Sequence, residues 1–471
     1  MKTFFKYFIA LFLIISATIF YFINTDIGKE EIKALIENHL SQNSNNNITI
    51  HSLDLNKFPK ITIHLKINQT ATMILNGFIN RDTMDMQYHL IGDSLKLNNL
   101  YLKEEIEVKG KISGNFNALA ISGHGNIFEG IVDFNLTYLP KSIKNIKIKM
   151  EHIKSENVLA LLDYKPFMQG RANINAQFKN FSNFKKEGIV TVNMQKSYLP
   201  LIKKYPLFHL HSTINFKNIT YNYNATLTSK IGTVTIHNGQ YHASKKELYG
   251  EYTVHINDLS DFQTLLRHKY TGDFQTHGKI FYNEHNKALH INGSTKKFDG
   301  AIDYIFKNNN LNIKLTAVSL QKVLEQFSDA SIISSKIYGT INYNLKEEIA
   351  IINTDLKETY FLESQFTNLI QEKLNTNILS DEYNKSSFSG GYKDAVLFSV
   401  LKIDNGSNYI YLTDTKLNLL TNNINSKFEM LMTGTKIQGK IYDKVANPQV
   451  QINTKMFTIY NEHFDNWLQA L

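Results

Sequence analysis

The side chains most able to do chemistry are the sixteen histidines and the carboxylates around them, and the chain has no cysteine. His209 and His211 stand two apart, which in a strand turns both rings to one face, as two ligands of a metal ion would be. No third ligand lies close in sequence and no carboxylate is placed to orient the rings, so an exposed strand is the expectation. Glu104, Glu105 and Glu107 precede Lys109-Gly110 and read as a solvated turn rather than an acid/base pair. There is no phosphate-binding loop, no GxGxxG after a strand, no GxSxG elbow and no HExxH. The lack of cysteine excludes disulfides, thiolate zinc sites, iron–sulfur clusters and a thiol nucleophile. The residues therefore predict no enzyme, no catalytic side chain, no cofactor and no metal.

The elements that would have to position a site point elsewhere. At roughly 150 residues per domain, 471 residues allow about three compact domains or one extended array. A mean hydropathy of −0.27 excludes a polytopic membrane protein. Lys and Arg outnumber Asp and Glu by 51 to 42, a net charge of +9. The lysines are scattered singly or in pairs, with no basic block, so composition accounts for the charge and nucleic acid is not expected as a partner.

From Phe4 to Ile23 the only charge is Lys6. Twenty residues at ~1.5 Å each span about 30 Å, the thickness of a bilayer core. Lys2 and Lys6 precede this stretch, while Asp26, Lys29, Glu30 and Glu31 follow it, so the N-terminus is expected to stay in the cytoplasm. Tyr21, Phe22 and Ile23 run into Asn24 without a small-x-small site, which favours an uncleaved anchor over a signal peptide. Ile27–Leu40 then places Ile32, Leu35, Ile36 and Leu40 on one helical face and ends in the polar run Ser41–Asn47.

Beyond that the pattern is β. Ile61 to Asn68, Ala172 to Lys179, Phe208 to Lys217 and Tyr221 to Thr228 alternate apolar and polar, as do Leu311–Leu315, Ile337–Leu345 and Val450–Ile452. About twenty such segments have wet faces of Asn, Thr, Lys, His and Gln, which predicts antiparallel pairing with one buried face. Glu156–Leu162, Leu259–Leu266 and Leu320–Phe327 each read as a short apolar helix, followed after a gap by Gly170, Gly278 or Gly339 and an alternating strand. Three copies suggest a degenerate repeat and an elongated stack; three unrelated connections are the alternative. Two longer amphipathic segments, Glu358–Leu379 and Met456–Leu471, are expected to cap sheet ends rather than bind a membrane.

This organisation resembles the AsmA-like family of Gram-negative envelope proteins, relatives of TamB and YhdP. The resemblance rests on one N-terminal anchor, a helix leading into Ile48-Thr-Ile50, and the helix/Gly/strand units, of which Leu259–Tyr282 matches best. It rests also on the ending Phe388–Asn453, with Gly390-Gly391, Lys416–Leu419, Ile437-Gln-Gly439-Lys-Ile441 and Asn447-Pro448-Gln-Val450-Gln-Ile452. The Gly usual before Lys416–Leu419 is absent and the chain is short for the group. The resemblance implies a cytoplasmic tail (1–6), a transmembrane anchor (7–24), a juxtamembrane helix and linker (25–47) and a repetitive β-groove (48–356). An amphipathic helix (357–379), a C-terminal β region (380–455) and a capping helix (456–471) complete it. The expected fold is mainly β, an elongated curled antiparallel sheet with short interspersed helices. The implied location is the inner membrane, single-pass, with the bulk of the chain in the periplasm. The implied role is lipid transport between membranes or outer-membrane maintenance, with phospholipid or another acyl lipid and envelope proteins as partners.

A sheet with one apolar face must hide that face, either by folding on itself or by curling into a trough that takes acyl chains. Each buried CH2 gains about 0.8 kcal/mol. Inward candidates are Ile61, Ile63, Leu65, Ile67, Ala172, Ile174, Ala176, Phe178, Leu210, Ile214, Tyr221, Tyr223, Leu311, Ile313, Leu315, Ile341 and Tyr343. Residue by residue, the pattern leaves a lipid groove and a plain core equally open. A periplasmic scaffold with a dry core and protein partners is the competing function.

Overall fold

The structure, a computed structural model, describes residues 46–57, 59–97, 100–102, 104–161, 168–182, 185–198, 207–263, 270–326, 333–364, 377–444 and 447–452, with isolated positions between 30 and 45, at 165, 367–368 and 371–372. The expected anchor at 7–24 and the expected capping helix at 456–471 lie outside the described residues. Among the described residues no helix is long and apolar enough to cross a membrane.

The described chain is mainly β and divides into two compact units, Met1–Lys246 and Glu247–Leu471. In the first unit, strands from Ile48–Lys57 to Gly232–His242 follow one another as an antiparallel meander. One interruption occurs after Thr83–Gly92: the small hairpin Leu95–Leu97/Leu100–Leu102 stands aside, and Thr83–Gly92 pairs instead with Ile106–Asn115. The second unit runs the same way from Glu247–Ile256 to Asn447–Ile452.

Local chemistry explains the regularity. Five hairpins close on two residues that both have positive φ: Asn68-Gln69, Phe128-Glu129, Phe298-Asp299, Asn308-Asn309 and Asp394-Ala395. Such turns carry the right-handed twist that the flanking strands need. Single residues at positive φ inside strands, among them Asn145, His152, Lys196 and Ala317, coincide with register shifts and are β-bulges. Each bulge resets the alternation, so that Ile153 still faces the same way as Met150, to which the plain period of two would not bring it.

The three short helical segments appear where the repeat places them, at Ser155–Leu161 (α1), Leu259–Phe262 (a 3-10 turn) and Leu320–Leu324 (α2). Side-chain caps start the latter two. The Asp258 carboxylate accepts from Ser260 N at 3.0 Å and the Ser319 hydroxyl accepts from Lys322 N at 3.3 Å. The helix read from Glu358 begins later than expected. Strand Ile349–Phe361 extends through Thr359 and Phe361, whose β-favouring side chains pack inward, and among the described residues of this segment those at 367–368 and 371–372 are helical. Lys109-Gly110 is likewise not a turn, but the middle of strand Ile106–Asn115.

The described residues between 30 and 41 are helical, and this segment covers the first strand's free edge. Ser41 Oγ accepts from Ile48 N (3.1 Å) and donates to Ile48 O (3.3 Å), and Glu37 Oε1 accepts from Ile50 N at 2.5 Å. Those backbone groups would otherwise be open to another chain.

Candidate functional site

The register aligns the apolar residues into rows that cross many strands. One row of the first unit is Ile148–Ala176–Val190–Ile214–Tyr223–Gly239, and its neighbour is Ile146–Phe178–Gly188–Phe216–Tyr221–Tyr241. A third joins Ile153, Ala172, Met194, Leu210, Leu227 and Val234. In the second unit, Gly278–Gly293–Tyr304–Ile313–Ile341–Ile352 and Ile280–Ile291–Phe306–Leu311–Tyr343–Ala350 form equivalent rows. Ala172, Ala176, Phe178, Leu210, Ile214, Tyr221, Tyr223, Leu311, Ile313, Ile341 and Tyr343 stand in these rows, and Ile174 and Leu315 alternate with them along their strands.

The sequence-derived candidates differ in depth. Ile61 and Ile63 are 0% exposed, and with Leu65 and Ile67 they belong to a closed cluster that includes Leu75, Met86, Val108, Ile121 and Leu136. This part of the face is filled by its own side chains. Ala172 and Ala176 are buried where the closed part ends. Ile174, Phe178, Leu210, Ile214, Tyr221 and Tyr223 are only half-buried, as are Leu311, Ile313, Leu315, Ile341 and Tyr343 in the second unit. Leu315 leans on the small cluster of Val318, Ile337 and Leu356. The second unit closes again around Phe361, Tyr383, Ile403, Phe428, Met430 and Ile437.

Glycines on the apolar face carry rings from the neighbouring strand. A Cβ at Gly123 would lie 2.3 Å from the Tyr88 hydroxyl and 2.5 Å from Phe134 Cζ, so only glycine lets both rings lie against the backbone. Gly188 under Phe178, Gly239 under Tyr223, Gly293 under Tyr304 and Gly439 under Phe428 repeat the pairing.

Tyrosine is the characteristic side chain of the half-buried rows. Burial pushes the Tyr223 phenol up to about 12. Burial and then the hydrogen bond to Tyr304 raise Tyr252 well above the usual phenol range. The two hydroxyls are 2.7 Å apart; Tyr304 also meets Thr276 Oγ1 at 2.8 Å, and Tyr252 donates to Asn292 O at 3.0 Å. The sequence reading missed this network, although the alternation Leu248-Tyr-Gly250-Glu-Tyr252-Thr-Val254 carries its signal.

On the polar side of the first unit, a cleft of about 630 Å3 runs between two side-chain ladders, with Gly110, Gly123 and Phe134 in its floor. Several of its lysines are paired: Lys109 with Glu107 (2.8 Å), Lys111 with Asp85 (2.9 Å) and Lys149 with Glu151 (2.8 Å), and His124 Nδ1 lies 2.5 Å from Asp133 Oδ1. Water screens such exposed pairs, so they contribute little to stability. A neighbouring cleft of about 990 Å3 is more basic, with Lys147, Lys179, Lys185 and Lys217 set against Glu187.

His209 and His211 lie exposed on strand Phe208–Lys217, with His211 Nδ1 2.5 Å from Asn193 Oδ1. Among the described residues no group of three His, Asp or Glu is arranged to hold a metal ion. Comparison of the chain with models of known families and with curated proteins found no match in either.

Proposed function

We propose that this is a membrane-anchored envelope protein whose half-buried apolar rows carry acyl lipid between membranes, or serve outer-membrane maintenance by holding it. The observation that carries the reading is the half-burial itself. Among the described residues, Leu210, Ile214, Tyr221 and Tyr223, and Ile291, Phe306, Leu311, Ile313, Ile341 and Tyr343, leave a half-buried apolar surface that an apolar occupant could cover. Tyrosine suits such a surface, because its ring accepts a methylene chain while its hydroxyl tolerates water or an ester oxygen. Residues 7–24 serve as the inner-membrane anchor in this reading, with the N-terminus cytoplasmic. The resemblance to the AsmA-like family points the same way. A scaffold function is favoured by the closed clusters around Ile63 and Phe428, which leave no room for a ligand.

A photo-crosslinking residue separates the two. Placed at Ile214 or Ile313 in the full chain in its own membrane, it is expected to capture lipid, whereas at His211 or Lys314, on the opposite face, it should not. Protein adducts alone at Ile214 and Ile313 support the scaffold and refute the lipid reading.

A further inference from the structure

One lysine stands on the wrong face. Strand Lys186–Tyr198 sends Gly188, Val190, Val192 and Met194 to the apolar side, and Lys186 begins that same alternation, opposite Phe181. Its ammonium lies 5.6 Å from the centre of the Phe181 ring and 5.8 Å from that of Tyr221, and it donates to the Tyr221 hydroxyl at 3.3 Å. Around it the rings continue without a gap: Phe181 to Phe178 (5.3 Å), Phe178 to Phe216 (5.1 Å), Phe216 to Tyr221 (4.7 Å) and Tyr221 to Tyr241 (5.8 Å). The nearest acid in sequence, Glu187, points to the opposite face, where it sits 3.7 Å from Lys185 and accepts from Asn180 at 3.4 Å. No carboxylate neutralises Lys186 among the described residues.

We propose that Lys186 seats the anionic phosphate of a lipid headgroup, with the acyl chains laid along the Val190–Ile214–Tyr223 row. This rests on the acyl-lipid reading above and adds to it the residue and the place that hold the headgroup. An ammonium has three donors, of which Tyr221 takes one, leaving two for phosphate oxygens. Its long stem lies along aromatic surface while its head reaches the strand end, as lysines do where an apolar phase meets water. A neutral diacylglycerol would leave this cation unused.

The test uses the full chain in detergent micelles and displacement of a fluorescent fatty acid. Dioctanoyl phosphatidate and dioctanoylglycerol, which share their acyl chains, serve as competitors beside inorganic phosphate. Phosphatidate is expected to compete about ten-fold better than diacylglycerol, the scale of one charge-assisted hydrogen bond. Lys186→Met should bring that ratio close to one without weakening diacylglycerol, and Lys186→Arg should restore most of it. An unchanged ratio in Lys186→Met, with the β circular dichroism intact, overturns the assignment. Inorganic phosphate that blocks phosphatidate at equal concentration assigns the seat to free phosphate and overturns the lipid headgroup. If the fatty acid itself does not bind, the acyl-lipid reading fails first and takes this inference with it.

Discussion

Within the first unit, strands Lys60–Ile67 to Ser142–Lys154 and strands Gln169–Phe181 to Gly232–His242 share one alternation and one apolar face, yet the first group is closed and the second is open. The closed rows are built from Ile, Leu, Met and Val with few hydroxyls, and several glycines bring rings down against the backbone. The open rows carry Tyr221, Tyr223 and Tyr241, side chains that remain stable when half-wet. Alternation therefore decides which way a residue points, whereas the size and polarity of whole rows decide whether the face shuts. Closure is a property of rows, not of strands.

The strongest way to break this comparison is to place a charge on each part. Ile63→Lys puts an unpaired ammonium where exposure is 0%, and should cost about 3–5 kcal/mol and the cooperative folding of the first unit. Ile214→Lys, on the open rows, should cost about 1 kcal/mol and leave the β signal intact. Denaturant unfolding followed by circular dichroism reads both, and equal losses would mean that the open rows are as dry as the closed ones.

Truncation asks the same question more gently. Leu75→Ala should lose about 3 kcal/mol by leaving a cavity in the closed cluster, and Leu210→Ala about 1 kcal/mol. A midpoint shift for Leu210→Ala as large as that for Leu75→Ala would contradict the difference in depth.

A methyl group added beneath a ring tests the way the closed part packs. Gly123→Ala, which crowds both Tyr88 and Phe134, should lose about 1–3 kcal/mol. Gly239→Ala meets both the Tyr223 ring at 2.5 Å and the Tyr223 carbonyl oxygen at 2.6 Å; the ring can swing aside but the backbone must shift, so a loss of similar size is expected. Thermal melting of the two variants reads both, and an unchanged midpoint in Gly123→Ala would contradict the close packing of Tyr88 and Phe134 on that glycine.

The smallest effect is alkaline. Burial holds Tyr88 well above the ordinary phenol range and Tyr223 at about 12. An unfolded phenol ionises near pH 10, so stability is level below about that pH and falls as pH rises toward 12, because the unfolded chain releases its protons first. Each of Tyr88→Phe and Tyr223→Phe should flatten this decline, and Tyr88→Phe more so as unfolding measurements approach pH 12, where Tyr223 begins to ionise in the folded chain. The reverse order would place the better-buried phenol on the open rows.

Much of the fold was legible. Phe208 to Lys217 is a strand with the bounds the alternation suggests, and Ser155–Leu161 and Leu320–Leu324 are helical where the repeat requires it. The bulges were not legible, because a residue at positive φ such as Ala317 or Glu358 has no compositional signature and breaks the period it sits in. Neither was depth. Ile63 and Ile214 occupy identical patterns, and only the partners across several strands, remote in sequence, distinguish them. Glu358 was read as helical because Leu362 and Phe366 continue a helical spacing, while the strand owes its length to pairing with Ile333 and Ser334. Lys186 was visible as the first member of Lys-x-Gly-x-Val-x-Val, but a lysine next to a turn reads as solvated unless the rings beyond it are known.

The pairing of almost every strand with its immediate predecessor has a consequence for how the chain is made. When partners are neighbours in sequence, loop closure is short and folding proceeds locally, with little need to hold distant segments ready. A chain emerging N-terminus first can add each new strand to a sheet edge that already exists, with Glu37 and Ser41 closing the first edge before the last strand arrives. The growing edge is also the only one at risk of pairing with a stranger, and it moves forward with each hairpin. Within a unit, length can then change by whole hairpins without turning any remaining side chain to the other face, since adding two strands preserves both direction and alternation.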